Sequence, residues 1–234
     1  MCDAAKPRRG RPPTINNTRI VQAGIELTLP AITLAGVARH LGVTQAALYK
    51  HVDSLHTLRQ LVAEEIFTRW QIPATDPTTA TLHEYLLEFG ISIRALAHHY
   101  PGISEFLTRR GGATPDMVTK IEAHHTEVAR AYHLPAPATR WLLSTIAFHC
   151  VALADTIYAS YQDAASRDAA SRDAAAAEPA TGHPHTGLPN DAIEEDFLWG
   201  LKSLILGALQ VAGLTPTPTP ERPIGLGHQW SLPG

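Results

Sequence analysis

Gln45, Ala46, Tyr49, Lys50 and His51 place an amide, a methyl, a phenol, an ammonium and an imidazole within seven residues of chain. That mixture can read base edges. Gln bonds adenine N6 and N7, Lys reaches guanine O6 and N7, and a methyl packs on the thymine methyl. The flanking residues supply the scaffold that such a face requires. Thr33 is a good N-cap, and Leu34, Val37, Ala38 and Leu41 recur at helical spacing. Gly42 stands where that helix must stop, because it adopts positive φ without steric cost. Thr44 is a second N-cap, and Ala47 and Leu48 can turn toward the first helix. Residues 33–51 therefore predict two short helices joined by a tight turn, with the polar face outward, a shape suited to the DNA major groove.

The chain must hold this pair on a larger body. It has 234 residues, 44% of them hydrophobic, which is enough for one large or two modest domains. Ala and Leu dominate, and Val and Ile are scattered rather than alternating, so the expected class is all-α. The net charge of −3 conceals an asymmetry. Residues 1–60 carry eight Lys and Arg against three Asp and Glu, a net of +5, which leaves −8 for the rest. A basic N-terminal part on an acidic body points to a polyanion partner for that part alone.

Residues 1–13 are polar and Pro-rich and form an expected basic arm. Arg8, Arg9 and Arg11 surround Gly10, and extended arginines of this kind can enter a narrow minor groove. A merely solubilising tail fits the same composition. Helices are expected at 17–27, at 34–41, from 44, and from Ser54, the last carrying Leu58, Leu61, Val62 and Ile66. Pro73 and Pro77 mark a linker. Leu82, Leu86, Phe89, Ile93, Leu96 and Tyr100 then recur at spacings of four and three. Pro101-Gly102 breaks that helix, a short one follows over 103–109, and Pro115 opens another that runs to 133. Strongly apolar helices are expected at 138–161 and 192–212. Between them, Asp-Ala-Ala-Ser-Arg occurs twice in tandem at 163–172, and a Pro, Gly and His-rich stretch reaches 190. The segment 163–190 reads as a loop whose Ala-rich start can prolong the preceding helix. The Thr-Pro repeats begin an irregular tail over 215–234.

The run Ile-Thr-x5-Arg-x-Leu-Gly-Val-Thr-x-x-Ala-Leu-Tyr-x-His-Val resembles the DNA-binding domain of the TetR family of regulators, over residues 14–65. The resemblance implies an N-terminal three-helix helix-turn-helix domain (14–70) and a C-terminal helical ligand-binding and dimerisation domain (78–214). It implies DNA contacts from Thr33, Thr44, Gln45, Ala46, Tyr49, Lys50 and His51, joined by the Arg8, Arg9 and Arg11 arm. Thr33, Tyr49 and His51 suit phosphate, which positions rather than specifies. One departure is visible. The family often has Lys shortly after the His-Val pair, whereas Leu55 and His56 follow Asp53-Ser54 here, which throws more phosphate affinity onto the arm. The expected partners are a palindromic double-stranded operator, a small organic effector and a second copy of the chain. The second copy would dock through helices 138–161 and 192–212.

Residues 95–110, including Tyr100-Pro101-Gly102, are locally similar to the helix-break region of the tetracycline-responsive branch. On that similarity Gln71, Glu88, Ser92, Phe106, Arg109 and Met117 line the ligand site. Phe148 and His149 are added from the apolar helix. Core packing is the competing role for each aromatic. The branch's metal-coordinating His falls at Phe106, which cannot bind a cation, so no metal and no cofactor is expected.

The motifs of the common enzyme classes are missing: no Gly-x-Ser-x-Gly, no phosphate loop, no dinucleotide fingerprint and no His-Glu-x-x-His occur. His149 and Cys150 are neighbours on one helix and do not face each other, so no catalytic residue is assigned. Cys2 and Cys150 make no disulfide framework, and no secretory or membrane-spanning segment is apparent, which suits the cytoplasm. The reading is a repressor released from DNA by its ligand. An activator, a ligand-independent repressor and a helical binding protein with a vestigial DNA-binding domain remain its alternatives.

Overall fold

The computed structural model describes residues 15–109, 111–173 and 190–214. The arm arginines Arg8, Arg9 and Arg11, the segment 174–189 and the tail 215–234 lie outside the described residues. The described residues form nine α-helices, a single 3-10 turn and no strand. In chain order these are α1 (Asn17–Leu27), the 3-10 turn (Leu29–Ala31), α2 (Leu34–Leu41), α3 (Gln45–Leu48) and α4 (Leu55–Arg69). Then follow α5 (Leu82–His99), α6 (Ser104–Thr108), α7 (Pro115–Ala131), α8 (Ala136–Asp173) and α9 (Asn190–Val211).

Local chemistry starts the helices. Asn16, Thr33, Thr44 and Ser54 each accept a hydrogen bond from a backbone N–H three residues on, at 2.9–3.2 Å. Each thereby satisfies a donor that the helix itself cannot. Thr81 and Glu84 close a reciprocal capping box at α5. α8 starts two residues before the expected 138 and runs twelve past 161. The Ala-rich tandem repeat prolongs the helix, as its composition allows and its intrinsic propensity favours.

The apolar stripes meet in two cores. The first joins Ile20, Val37, Leu48, Leu58, Val62 and Phe67 of the N-terminal helices to Leu96, Ile103, Phe106, Met117 and Ala154 of the body. The second collects Tyr85, Leu86, Phe89 and Ile93 of α5, Leu142, Ile146 and Cys150 of α8, and Phe197, Leu201 and Ile205 of α9. Gly24 lets α1 and α4 close up: a Cβ there would stand 2.4 Å from Val62 Cγ2. Polar ties reinforce the N-terminal unit. Arg69 donates to Gln22, Gln22 to Glu26, and His40 pairs with Glu26 at 2.8 Å, so α4, α1 and α2 are linked in series. Arg59 on α4 donates to the Ile32 carbonyl just ahead of α2.

Candidate functional site

The capped helix pair α2–α3 presents one continuous outer face. Gly42 ends α2 at φ +68°, and its N–H and that of Val43 bond back to Arg39 and Ala38 carbonyls. That double closure fixes the angle at which α3 leaves. Leu48 and Val52 are buried beneath the pair, whereas Thr44, Gln45, Ala46, Tyr49, Lys50 and His51 are exposed. Tyr49 is 51% exposed, so its ring belongs to the surface and not to the core. α3 is only one turn long, and Tyr49, Lys50 and His51 continue it as a tight turn held by His51 and Val52 N–H bonds to Leu48. Thr33 and Thr44 spend an acceptor lone pair on their caps, at 2.9 and 3.2 Å, and keep the hydroxyl proton free to be donated. The side chains expected from sequence to touch DNA, among the described residues, are thus exposed at the cap of α2, on α3 with its cap, and on the turn that follows.

The body contains a cavity of about 200 Å³ where α4, α5, α6, α7 and α8 converge. Phe67, Trp70, Phe89 and Phe148 supply its aromatic wall. Ile72, Ile93, Leu107, Ile121, Leu143 and Val151 supply most of the aliphatic wall. Its polar groups are Thr108, His124, His125 and Ser144, and among the described residues no Asp, Glu, Lys or Arg lines it. Tyr85 and His124 form a buried hydrogen-bonded pair, O to Nε2 2.9 Å, behind this wall. Burial pushes the Tyr85 hydroxyl pKa up and lowers that of His124 to about 4, so both are neutral near pH 7. Burial also lowers His125, with Arg140 adding to the effect.

Of the eight side chains assigned to a ligand site from sequence, Phe148 lines this cavity. Ser92 stands one layer behind it, accepting from Trp70 Nε1 at 2.9 Å. Phe106 and Met117 are buried in the first core, against the N-terminal helices. Gln71 and Glu88 are exposed, Arg109 is ion-paired with Glu105 on the surface, and His149 turns its Nε2 toward α9, where it is buried without a partner. The walls that sequence reasoning missed, Phe67, Trp70, Phe89 and His124, come from three helices. Phe89 carries only the periodicity of a core position, and nothing local in the sequence marks Phe67, Trp70 or His124. Among the described residues no group of three or more His, Cys, Asp or Glu could hold a metal ion. No described helix is long and apolar enough to cross a membrane.

One helix, α4, runs from the cavity wall to the core beneath the outer face. Phe67 and Trp70 sit at the C-terminal end of α4, whose other end begins three residues after Val52, which is buried beneath the outer face of α2–α3. Lys120 of α7 donates to the carbonyls of Phe67, Thr68 and Trp70 at 2.8, 3.0 and 2.7 Å and so fastens that end of α4 to the cavity wall. A second joint lies at Gly102, φ +86°, where a Cβ would stand 3.1 Å from Pro30 Cγ in the turn ahead of α2.

No model of a known protein family matches the sequence, and no curated protein matches it significantly. Solved structures do. One is a TetR variant from Acinetobacter baumannii in complex with minocycline, with 17% identity and a TM-score of 0.64 over 85% of this chain and 99% of that one. Another is the TetR-family protein ActR from Streptomyces coelicolor in complex with actinorhodin, with 22% identity and a TM-score of 0.63 over 86% of this chain and 98% of that one. Apo ActR matches at 21% identity and a TM-score of 0.62, over 86% and 99%. The fold of this chain is that of the TetR-family regulators.

Proposed function

We propose that this chain is a TetR-type homodimeric transcriptional repressor that leaves its operator when a small organic molecule enters the cavity. The observation that carries the reading is the shared element: α4 ends in the cavity wall at Phe67 and Trp70 and begins under the exposed Thr44–Lys50 face. Gln45, Ala46 and Lys50 read bases, Thr33, Thr44, Tyr49 and His51 hold phosphates, and Arg8, Arg9 and Arg11 reach the minor groove. Trp141 and Phe148 on α8 and Trp199, Leu206 and Val211 on α9 are large apolar side chains left 41–77% exposed, which supports docking of a second copy there. The dimer sets two recognition faces about one helical turn of DNA apart, so the operator is two-fold symmetric. A ligand that favours one α4 orientation over the other shifts the population between matched and mismatched spacing. Acting on DNA with a buried free thiol at Cys150, the protein works in the cytoplasm and needs neither cofactor nor metal. It is not an enzyme in this reading.

Selection of sites by the purified full chain from a pool of random duplexes tests the proposal. Enrichment of one inverted repeat, bound by two chains, supports it. Enrichment of no sequence, or of an asymmetric site bound by one chain, overturns it.

A further inference from the structure

The chemistry of the cavity wall narrows what can enter, on the reading of this cavity as the effector site. His124 is neutral, so one ring nitrogen carries the proton. Among the described residues the Tyr85 hydroxyl has His124 Nε2 as its one hydrogen-bond partner, at 2.9 Å. If Nε2 held the proton, the buried Tyr85 O–H would have no acceptor, which costs about 1–3 kcal/mol in general. The hydroxyl therefore donates to a bare Nε2, and the imidazole proton sits on Nδ1. This assignment follows from the network, as tautomers must. Nδ1 has no partner among the described residues. Yet the described side-chain atoms that are both buried and unpaired are Arg59 Nε and His149 Nε2. His124 Nδ1–H thus keeps accessible surface, and His124 is one of the residues that line the cavity.

Around that donor the wall is aromatic and uncharged. A charged ligand would shed its hydration with no counter-ion among the described lining residues, a large cost. The volume of about 200 Å³ exceeds the roughly 150 Å³ apolar cavity that holds one benzene ring. We propose that the cavity selects an uncharged, flat aromatic molecule of about two fused rings that bears a hydrogen-bond acceptor such as a ketone oxygen, with His124 Nδ1–H as the group that recognises it. Tyr85 is the positioning residue: by occupying Nε2 it holds the donor on the cavity side. Ser144, which also lines the cavity, carries a hydroxyl that can bond a second oxygen.

Three probes of nearly one shape test this: 2-acetylnaphthalene, 2-isopropenylnaphthalene and 2-naphthoate, titrated into the full chain near pH 7.5 by calorimetry. The ketone is expected to bind about 3- to 10-fold more tightly than the alkene, the worth of one neutral hydrogen bond. The naphthoate anion should bind at least ~10-fold more weakly than the ketone. In His124→Phe the ketone-to-alkene ratio falls to about one while the alkene's affinity survives. Tyr85→Phe, which keeps His124 and the ring volume, lowers the same ratio should His124→Phe fail to fold. Tightest binding by naphthoate, binding of none of the three, or a ratio unchanged by whichever variants fold would each overturn the proposal. DNA binding by the same preparation without probe is scored separately. Its loss beside intact ketone selectivity would defeat the regulator reading and leave the cavity's selectivity standing.

Discussion

Replacing Lys120 by Met should destabilise the protein by about 3 kcal/mol, and the structure supplies the reasons. The ammonium donates to three carbonyls of one helix end, at 2.8, 3.0 and 2.7 Å, and lies 5.3 Å from the Phe67 ring centroid. Hydrogen bonds to a charged group contribute ~1.5–3 kcal/mol each when taken singly. A cation at a helix C-terminus adds ~0.3–1 kcal/mol. These do not sum. The three bonds share one ammonium, and burial lowers the Lys120 pKa, so desolvation offsets part of the gain. Met preserves the stem that packs on Phe67, which confines the loss to the polar head. For a chain of this size ~3 kcal/mol corresponds to a fall of about 6–12 °C in Tm. Urea titration and thermal melts followed by circular dichroism measure it. A loss below ~0.5 kcal/mol would mean that the ammonium is held by water rather than by α4, and the clamp argument would fail. On the proposed function, the variant should also still bind DNA, because the caps and ties of α1–α3 are untouched, yet respond more weakly to ligand.

Two further perturbations address packing and titration. Gly24→Ala should cost ~1–3 kcal/mol despite the better helix propensity of Ala, since its Cβ would meet the stiff Val62 Cγ2 at 2.4 Å. Adding Val62→Ala should recover part of the Gly24→Ala penalty, and equilibrium unfolding that shows strictly additive losses would refute the clash. Between pH 6.5 and 4 the folded state holds His124 neutral, as its pKa is about 4, while the unfolded chain binds that proton below about 6.5. The unfolded state then carries more protons, so stability falls with falling pH across this window, by up to about 3 kcal/mol from this residue. His125, Glu127 and Lys120 are the charged or titratable neighbours that modulate it. The difference in unfolding free energy between wild type and His124→Phe, taken across that range, should carry this slope, and parallel curves would exclude it.

The parts of this molecule that local chemistry determines can be read from the chain. Thr33, Gly42, Thr44 and Ser54 declare helix ends by side-chain oxygen or by freedom at positive φ, and each does so in the structure. The exposed face of α3 and the turn after it follows, because Leu48 and Val52 are apolar at positions that leave Gln45, Tyr49 and Lys50 outward. The cavity is of another kind. Phe67, Phe89, His124 and Phe148 lie on four helices and meet only through tertiary packing, so no spacing in the sequence joins them. Phe106 and Met117, assigned to the ligand site by resemblance, fill the core under the N-terminal helices instead. Lys120 reads as one more charge on a solvated helix face until the carbonyls some fifty residues earlier are placed beside it. The 3-10 turn at Leu29–Ala31 had a local signal, Pro30, but its role as a contact for Gly102 did not.

The central claim is that the exposed face of α2–α3 and the following turn binds one DNA sequence, and a salt titration tests it most directly. The full chain is titrated against a selected inverted repeat and a scrambled duplex at several salt concentrations, alongside Lys50→Ala and a variant lacking residues 1–13. The account predicts tight, steeply salt-dependent binding to the repeat alone. Lys50→Ala should cost ~1–3 kcal/mol on the repeat, and loss of the arm should flatten the slope by about one for each phosphate contact removed. Equal weak binding to both duplexes, or an affinity and slope that neither variant changes, would contradict it.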